Sequence, residues 1–332
     1  MRDIGIIETA TEEFSDEFCT IAISKIALLQ ENIETVIRGK TGTVKLALAA
    51  LFAGGHLLIE DVPGIGKTTL AHSIARSLAL SFQRIQFTSD LLPSDVIGIS
   101  VYHQAIGGFE WKPGPIFANI VLADEINRAT PKTQSALLEA MAEHQVTFEG
   151  ITHPLPPPFM VVATQNPTEH HGTYPLPESQ LDRFMLCVEM GYPDNENEKK
   201  ILAQHGTESN LENLQPVMTE TDVSALQKLS KSVTVNESLI DYLLAIVEKT
   251  RANEAIEVGI SPRGSLALLH SAQAYALIEG RDYCTPDDIK ALVLPCFAHR
   301  IILRSSMRNF VRTANEAESI LNEIVLTTEV PI

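Results

Sequence analysis

A glycine-rich segment that ends in a lysine and two threonines lies between an apolar run and a stretch of helical periodicity. The apolar run is Leu57–Glu60, and apolar residues recur at helical spacing over residues 70–78. Glycines at such a strand-to-helix junction let the backbone direct several N–H groups inward, and the next helix adds the positive end of its dipole. The pattern therefore predicts a phosphate-binding loop, made of Pro63, Gly64, Ile65, Gly66, Lys67, Thr68 and Thr69.

Two polar residues of this loop have chemical tasks that follow from their types. We expect Lys67 to reach the β- and γ-phosphates of a nucleotide, and the Thr68 hydroxyl to hold a magnesium ion. The strict motif has glycine at position 61, where this chain has Asp61. A chance glycine-rich turn is the alternative, and the strand and helix on either side of the loop argue against it.

A second apolar run, Ile120–Asp124, ends in two neighbouring carboxylates. A buried parallel strand brings its carboxyl end to the sheet edge where ligands bind. We therefore expect Asp124 to organise the magnesium shell and Glu125 to polarise the attacking water as a general base. A strand that ends in two acids by chance is the alternative, and the nearby phosphate loop makes it the weaker one.

Length and composition limit the class of protein. A chain of 332 residues with 45% hydrophobic content can bury one large and one small core, which suggests two domains. Its four cysteines are far apart and lack metal-ligand spacing, so we expect reduced thiols. No apolar stretch has the length of a membrane span, and the start is acidic, unlike a signal peptide. We expect a cytoplasmic protein.

The net charge of −17 argues against a nucleic-acid partner. Binding to a phosphate backbone depends on Lys and Arg, which are outnumbered here by Asp and Glu, 25 to 42. A local basic channel stays open as an alternative.

Strand and helix patterns alternate over the first part of the chain, which is typical of a parallel sheet with helices on both faces. Only helical patterns follow Gly191, Tyr192 and Pro193, so a second domain starts there. A short hairpin is expected at residues 146–152. The candidate strands of the sheet are Leu57–Glu60, 84–87, Ile120–Asp124, 159–164 and 185–189.

Three polar residues outside the two motifs are further candidates. Asn166 ends the strand at 159–164, where it could face the γ-phosphate, although Asn before Pro also favours a plain turn. Arg183 precedes the last strand and could be a surface ion-pair partner or an arginine finger. Arg263 lies in the first turn of a helix, where its charge opposes the dipole, which hints at a separate purpose.

Taken together, these residues resemble the MoxR-type AAA+ ATPases over about residues 36–304. The segments that carry the resemblance are QFTSDLLPSD (86–95), GPIFAN (114–119), LADEINRA (122–129), LLEAM (137–141), ATQNP (163–167), GTYPLPE (172–178) and LDRF (181–184).

The resemblance implies a P-loop core with a parallel five-stranded sheet between helical layers, followed by a smaller all-helical lid. It implies an acidic extension at 1–32, to which we assign no function, a nucleotide-binding domain at 33–192 and a lid at 193–332. Residues 91–109 and the hairpin at 146–152 would face the pore of a ring.

The resemblance also implies roles for individual residues. Asn166 would be sensor 1, Arg183 a finger that completes a neighbour's site, and Arg263 sensor 2, reaching from the lid to the nucleotide. The adenine pocket would be lined by residues 36–40, among them Val36, Ile37 and Gly39.

The expected function is therefore that of a Mg²⁺- and ATP-dependent ring, most simply a hexamer, that remodels a protein client. A von Willebrand factor A domain protein is the expected partner. A DNA motor is an alternative, but it needs basic residues on the hairpin, where this chain has Phe148, Glu149 and His153. A non-hydrolysing scaffold is the other alternative, and Glu125 together with Asn166 and Arg183 argues against it.

Overall fold

The structure, a computed structural model, describes residues 16–104, 107–166, 173–203, 208–304 and 310–330. Residues 1–15 of the expected acidic extension lie outside the described residues. So do Pro167 and Gly172 of the motifs quoted above.

The described chain forms an α/β unit followed by helices. Its helices are α1 (Asp16–Glu34), α2 (Thr41–Phe52), α3 (Lys67–Ser77), α4 (Pro93–Ile97), α5 (Pro131–Glu143), α6 (Glu178–Leu181), α7 (Asn195–Ala203), α8 (Glu208–Asn213), α9 (Glu220–Ser232), α10 (Glu237–Ala252), α11 (Pro262–Ile278), α12 (Pro286–Phe297) and α13 (Phe310–Thr327). Its strands are β1 (Leu57–Glu60), β2 (Phe82–Gln86), β3 (Gly98–His103), β4 (Gly108–Pro113), β5 (Ile120–Asp124), β6 (Gln145–Phe148), β7 (Ile151–Pro154), β8 (Met160–Gln165), β9 (Leu186–Val188), β10 (Ile256–Val258) and β11 (Ile302–Leu303).

Five strands form one parallel sheet in the order β2-β5-β8-β1-β9. This confirms the predicted parallel five-stranded sheet, and each strand overlaps the segment expected from the sequence. The strands β5 and β8 are buried along their whole length, which explains why they read as continuous apolar runs. Because all five strands are parallel, their carboxyl ends lie at a single edge.

Side chains of the sheet alternate between two hydrophobic clusters, one on each face. Leu57 and Ile59 of β1 belong to a cluster with α2, α3 and the helices of the lid. Leu58 belongs to a second cluster, with α5. The core is thus a sheet between helical layers, as predicted.

The second domain is helical, as predicted, and its helices are capped by local side chains. The Asn236 side chain accepts a hydrogen bond from the Ser238 N–H at the start of α10, and the Ser261 hydroxyl accepts one from the Gly264 N–H at the start of α11. The domain also contains a short antiparallel pair, β10 with β11. Strands of three and two residues are too short for an alternating pattern to reveal them in the sequence.

The helix α1 crosses the predicted boundary between residues 32 and 33. Ala22, Ile26, Leu29 and Ile33 form a buried stripe at helical spacing, and the helix packs on α2, α3 and α11. Residues 19–32 therefore contribute side chains to the core, although acidic residues dominate the first part of the chain. Among the described residues, no helix combines the length and apolar character that crossing a bilayer requires.

His56 joins three elements at the amino edge of the sheet, opposite the carboxyl ends. Its Nε2 lies 3.0 Å from the Met141 carbonyl, and its Nδ1 accepts a hydrogen bond from the Val161 N–H at 3.0 Å. Burial lowers the pKa of His56 to about 4, and the charge of Arg263 contributes to the shift. The ring is therefore neutral and serves the fold.

This histidine should make the fold sensitive to acid. The unfolded chain takes up a proton near pH 6.5 and the folded chain does so only near pH 4, so stability falls as pH decreases between these values. We expect His56 to account for about 2 kcal/mol of the loss in unfolding free energy between pH 7 and pH 5. Urea unfolding of wild type and His56→Leu at both pH values checks this; an equal loss in both proteins would contradict it.

Candidate nucleotide site

The phosphate loop begins at the carboxyl end of β1 and leads into α3. Gly64 and Gly66 have φ of +84° and +100°, which a residue with a side chain rarely adopts. A Cβ on Gly64 would meet no atom within 4 Å, so the space beside this glycine is open. The α-helix starts at Lys67, which places Thr68 and Thr69 in its first turn, at the positive end of the helix dipole.

Lys67 is buried, with 9% of its surface exposed, and its ammonium group donates a hydrogen bond to the Asp61 carbonyl at 2.6 Å. A buried ammonium at the foot of a curled, glycine-rich loop is suited to the charge of a polyphosphate. Pro63 and Ile65 complete the curl between Asp61 and the helix.

The Asp124 carboxylate, at the end of β5, accepts hydrogen bonds from two neighbouring strands. Its Oδ1 accepts from the Thr164 hydroxyl at 2.6 Å. Its Oδ2 accepts from Nη2 of Arg84 at 2.5 Å and from Nε at 3.1 Å. These partners keep the carboxylate at the carboxyl edge of the sheet, on the same edge as the loop.

Glu125 follows Asp124 in the left-handed conformation, with φ of +55°. Its N–H donates to the Thr164 hydroxyl at 2.9 Å, which fixes the backbone. Its Oε2 accepts from Gln86 Nε2 at 2.9 Å and pairs with Arg128 Nε at 3.1 Å. The carboxylate is therefore held to the side by two donors.

Sequence reasoning missed the side chains that hold these two acids. They are Gln86 and Arg84 of β2, Thr164 of β8 and Arg128 of the 3-10 helix Ile126–Arg128. The usable signal was positional, because polar residues at the carboxyl ends of adjacent parallel strands meet at one edge.

Asn166 follows β8, between β5 and β1, and it is 5% exposed. It therefore shares the carboxyl edge with the loop and the two acids. The segment expected to line the adenine pocket is close by. Val36 and Ile37 are buried, and a Cβ on Gly39 would lie 2.4 Å from Asn197 Nδ2 at the start of the lid.

These residues fit a magnesium nucleotide. The open glycine curl with the buried Lys67 suits phosphates, and Thr68 with Asp124 offers the hydroxyl and carboxylate oxygens that Mg²⁺ takes.

Cys187 of β9 is a thiol near the site, and burial and the nearby Glu60 raise its pKa. It is a neutral thiol with no nucleophilic role.

Arg183 lies at the opposite edge of the sheet. It precedes β9 at the amino end, where the next residues bond to His56: the Met185 N–H donates to the His56 carbonyl at 2.8 Å. The Arg183 guanidinium donates a hydrogen bond to the Leu138 carbonyl of α5. It cannot share an edge with the phosphate loop of its own chain.

Arg263, which is expected to reach a nucleotide from the lid, also lies at the amino edge. The helix α11 runs antiparallel to α2, since Lys45 of α2 pairs with Glu279 beyond the end of α11 at 2.6 Å. The start of α11 is therefore far from the loop. There, exposed Arg263 is close enough to His56 for its charge to lower that pKa.

Arg300 holds the starts of α11 and β9 together. It is 8% exposed, pairs with Asp182 at 3.0 Å and donates to the carbonyls of Phe184 at 2.5 Å and Met185 at 3.1 Å. A Cβ on Gly264 would lie 3.2 Å from its Cδ. Arg183 lies between Asp182 and Phe184, and Arg263 precedes Gly264. Both predicted arginines are thus on the same side of the molecule.

Comparison with known proteins agrees with this arrangement. The model of the "ATPase family associated with various cellular activities (AAA)" matches residues 56–186, and that of the AAA lid domain matches residues 248–324. The fold and the phosphate loop thus define the class as an AAA+ ATPase with a lid.

More specific relatives narrow the class. The uncharacterized protein YeaC of Bacillus subtilis (strain 168) is 49% identical over 302 residues, covering 91% of this chain and 93% of its own. Chaperone MoxR1 of Mycobacterium tuberculosis is 38% identical over 310 residues, covering 90% and 80%. A crystal structure from Cytophaga hutchinsonii superposes with a TM-score of 0.87 at 37% identity, covering 96% and 98%. The chain belongs to the MoxR family of AAA+ ATPases.

The lysine of the loop gives the simplest test of the site. Lys67→Ala should weaken ATP binding roughly 10- to 100-fold, because a hydrogen bond to a charged group contributes about 1.5–3 kcal/mol. Isothermal calorimetry measures the affinity for ATP. Lys290→Ala, which removes a half-buried lysine of α12 that pairs with Asp287, is the control and should bind as wild type. Equal affinity of Lys67→Ala and the control would contradict the site.

Proposed function

We propose that this chain hydrolyses ATP with Mg²⁺ and uses the cycle to remodel a protein client. The observation that carries the proposal is the arrangement at the carboxyl edge, where the Thr164 hydroxyl joins Asp124 to the backbone of Glu125, beside the loop with Lys67. The carboxylate proposed to hold the metal, the proposed base and the phosphate loop share one edge of the sheet, as phosphoryl transfer to water requires.

In this proposal the residues divide the work by their chemistry. Lys67 and the N–H groups of the loop bind the phosphates and offset charge that develops in the transition state. Thr68 and Asp124 would hold Mg²⁺, which supplies neutralisation of phosphate charge. Glu125 accepts a proton from the attacking water, and Asn166 helps to orient that water.

Glu125 has to leave its present partners to act as the base. Gln86 and Arg128 both bind its Oε2, which holds the carboxylate aside. A change that draws Gln86 away, such as the arrival of phosphates at the loop, would free the carboxylate. The resting site is therefore held inactive by ordinary hydrogen bonds.

The glutamate can be tested without changing the shape of the pocket. Glu125→Gln should bind ATP with nearly wild-type affinity and hydrolyse it roughly 10²- to 10⁴-fold more slowly, because the water loses its base. Steady-state phosphate release measures turnover and calorimetry measures binding. Glu143→Gln, at the end of α5, is the matched control. Wild-type turnover by Glu125→Gln would remove Glu125 from the mechanism.

We further propose that the chain works as a ring, most simply a hexamer. The support is that Arg183 and Arg263 lie at the edge opposite the phosphate loop, so each could meet a nucleotide only in a neighbouring subunit. Arg183 would then act as the finger and Arg263 as sensor 2, both across the interface.

The client is proposed to be a protein. The β3-β4 and β6-β7 hairpins lie against each other, with Trp111 stacked on His153 at 3.9 Å between ring centroids. They expose apolar side chains such as Phe109, at 72%, and Ile151, at 62%, which suit a polypeptide. The name of the relative Chaperone MoxR1 agrees with this. A von Willebrand factor A domain partner and a cytoplasmic location belong to the same proposal, on resemblance alone.

The two alternatives have less support. A DNA motor would need cations on the β6-β7 hairpin, and neither β6 nor β7 contains a lysine or arginine. A non-hydrolysing scaffold would have no use for a carboxylate such as that of Glu125 at the edge where the phosphate loop lies. Steep salt dependence of DNA binding would favour the DNA motor, and absence of ATP turnover would favour the scaffold.

Mixing two inactive variants tests the ring. Arg183→Ala should keep its ATP affinity and lose roughly 10³-fold in turnover, the scale of a lost arginine finger. Lys67→Ala retains the finger and lacks a usable pocket. Mixed subunits should therefore recover part of the activity, because a Lys67→Ala subunit supplies Arg183 to an intact pocket. Phosphate release is measured across mixing ratios.

The same experiment can refute the ring. If subunits exchange, as wild-type proteins carrying different labels would show, and no ratio restores turnover, Arg183 does not act on a neighbour. Each variant measured alone at the same total concentration is the control.

A further inference from the structure

Asp61 occupies the position where the strict phosphate-loop motif has glycine, and its side chain is fully used. The Oδ2 atom accepts hydrogen bonds from two successive N–H groups, those of Met190 at 2.8 Å and Gly191 at 2.6 Å. The Oδ1 atom accepts from the Val62 N–H at 2.8 Å. A glycine could make none of these bonds.

The backbone of Asp61 belongs to the phosphate loop. Its carbonyl accepts the hydrogen bond of the Lys67 ammonium at 2.6 Å. Its N–H donates to the Gln165 carbonyl at 3.2 Å, next to Asn166. The backbone of this one residue is therefore positioned on one side by the lysine that should meet phosphates and on the other by the strand that leads to Asn166.

The side chain of Asp61 reaches a different part of the molecule. Met190 and Gly191 lie between β9, the last strand of the core, and α7, the first helix after it. Gly191 has φ of +61°, as expected for a chain reversal, and Met190 is 4% exposed. The Met190 Cε lies 3.8 Å from where a Cβ on Gly66 would be. This hinge, residues 190–194, thus contacts both ends of the loop.

We propose that Asp61 is a positioning residue that couples nucleotide in the phosphate loop to the order of the hinge at Met190 and Gly191. The inference rests on the proposed function, since it needs the loop to bind nucleotide. Phosphates that restrain Lys67 and the loop also restrain the Asp61 peptide. The Asp61 carboxylate then confines the two hinge N–H groups to a narrower range of positions, because the charge-assisted hydrogen bonds transmit the restraint.

A purely structural role makes a different prediction. A carboxylate that only satisfies two N–H groups would hold the hinge equally well with and without nucleotide. Coupling requires that Asp61 restrain the hinge more strongly when nucleotide is bound. Coupling is also reciprocal, so the bonds from Asp61 to the hinge must raise the affinity for nucleotide by the same factor.

Hydrogen exchange of the full-length chain, with and without Mg-ADP, separates the two roles. In wild type, Mg-ADP should slow exchange of the Met190 and Gly191 amides roughly 10-fold, a typical coupling between sites. Asp61→Gly, which restores the strict motif, should reduce that slowing to less than about 2-fold and weaken ADP binding by the lost factor. Asp61→Asn keeps one carbonyl oxygen and should be intermediate.

A second buried capping carboxylate provides the matched control. Asp222 is 2% exposed, accepts from the Thr219 N–H at 2.9 Å and pairs with Lys25 at 3.1 Å, away from the loop. Asp222→Asn lowers stability by a similar mechanism and should leave the ADP-dependent slowing at 10-fold. A loss of slowing in this control equal to that in Asp61→Gly would overturn the inference.

The outcomes for the hinge and for the site are distinct. Suppose that wild type binds ADP and that Mg-ADP slows hinge exchange in Asp61→Gly as much as in wild type. Asp61 is then a structural cap, and the inference fails while the proposed function stands. If wild type does not bind ADP, the proposed function fails and the inference with it. If Asp61→Gly does not fold, wild-type slowing and wild-type ADP affinity in Asp61→Asn overturn the coupling.

Discussion

The hydroxyl of Thr164 is the contact on which the candidate site depends. It donates to Asp124 and accepts from the Glu125 N–H, so one atom joins the ends of β5 and β8. The two strands are parallel neighbours in register, with Ala123 opposite Ala163, which brings the next residues face to face. Asp124 and Glu125, the proposed metal ligand and the proposed base, are therefore positioned next to each other by the sheet itself.

The same parallel sheet separates the site into two halves. The phosphate loop lies at the carboxyl ends of the strands. Arg183 lies at the amino end of β9, and Arg263 lies near His56 at that same amino edge. Arg300 bonds to Asp182 and Phe184, the residues on either side of Arg183, and lies near Gly264, which follows Arg263. In one subunit the halves face away from each other. The proposed ring would bring the halves of adjacent subunits together.

The sequence predicted what depends on local pattern. Apolar runs predicted all five strands of the sheet, and the glycine spacing predicted the loop, because both properties are set by neighbouring residues. Gln86 and Arg128, which hold Glu125, were not predicted, since their contacts join separate segments of the chain. The edge at which Arg263 lies depends on how α11 packs along α2, and no spacing in the sequence encodes the direction of that packing.

The central claim is that a complete active site requires two subunits. Turnover per subunit, measured against protein concentration together with particle mass by analytical ultracentrifugation, tests it most directly. The account predicts that turnover per subunit, at saturating Mg-ATP, falls towards zero as dilution converts the assembly to monomers, with the same midpoint as the change in mass. Turnover that stays constant through the range in which only monomers remain would contradict it.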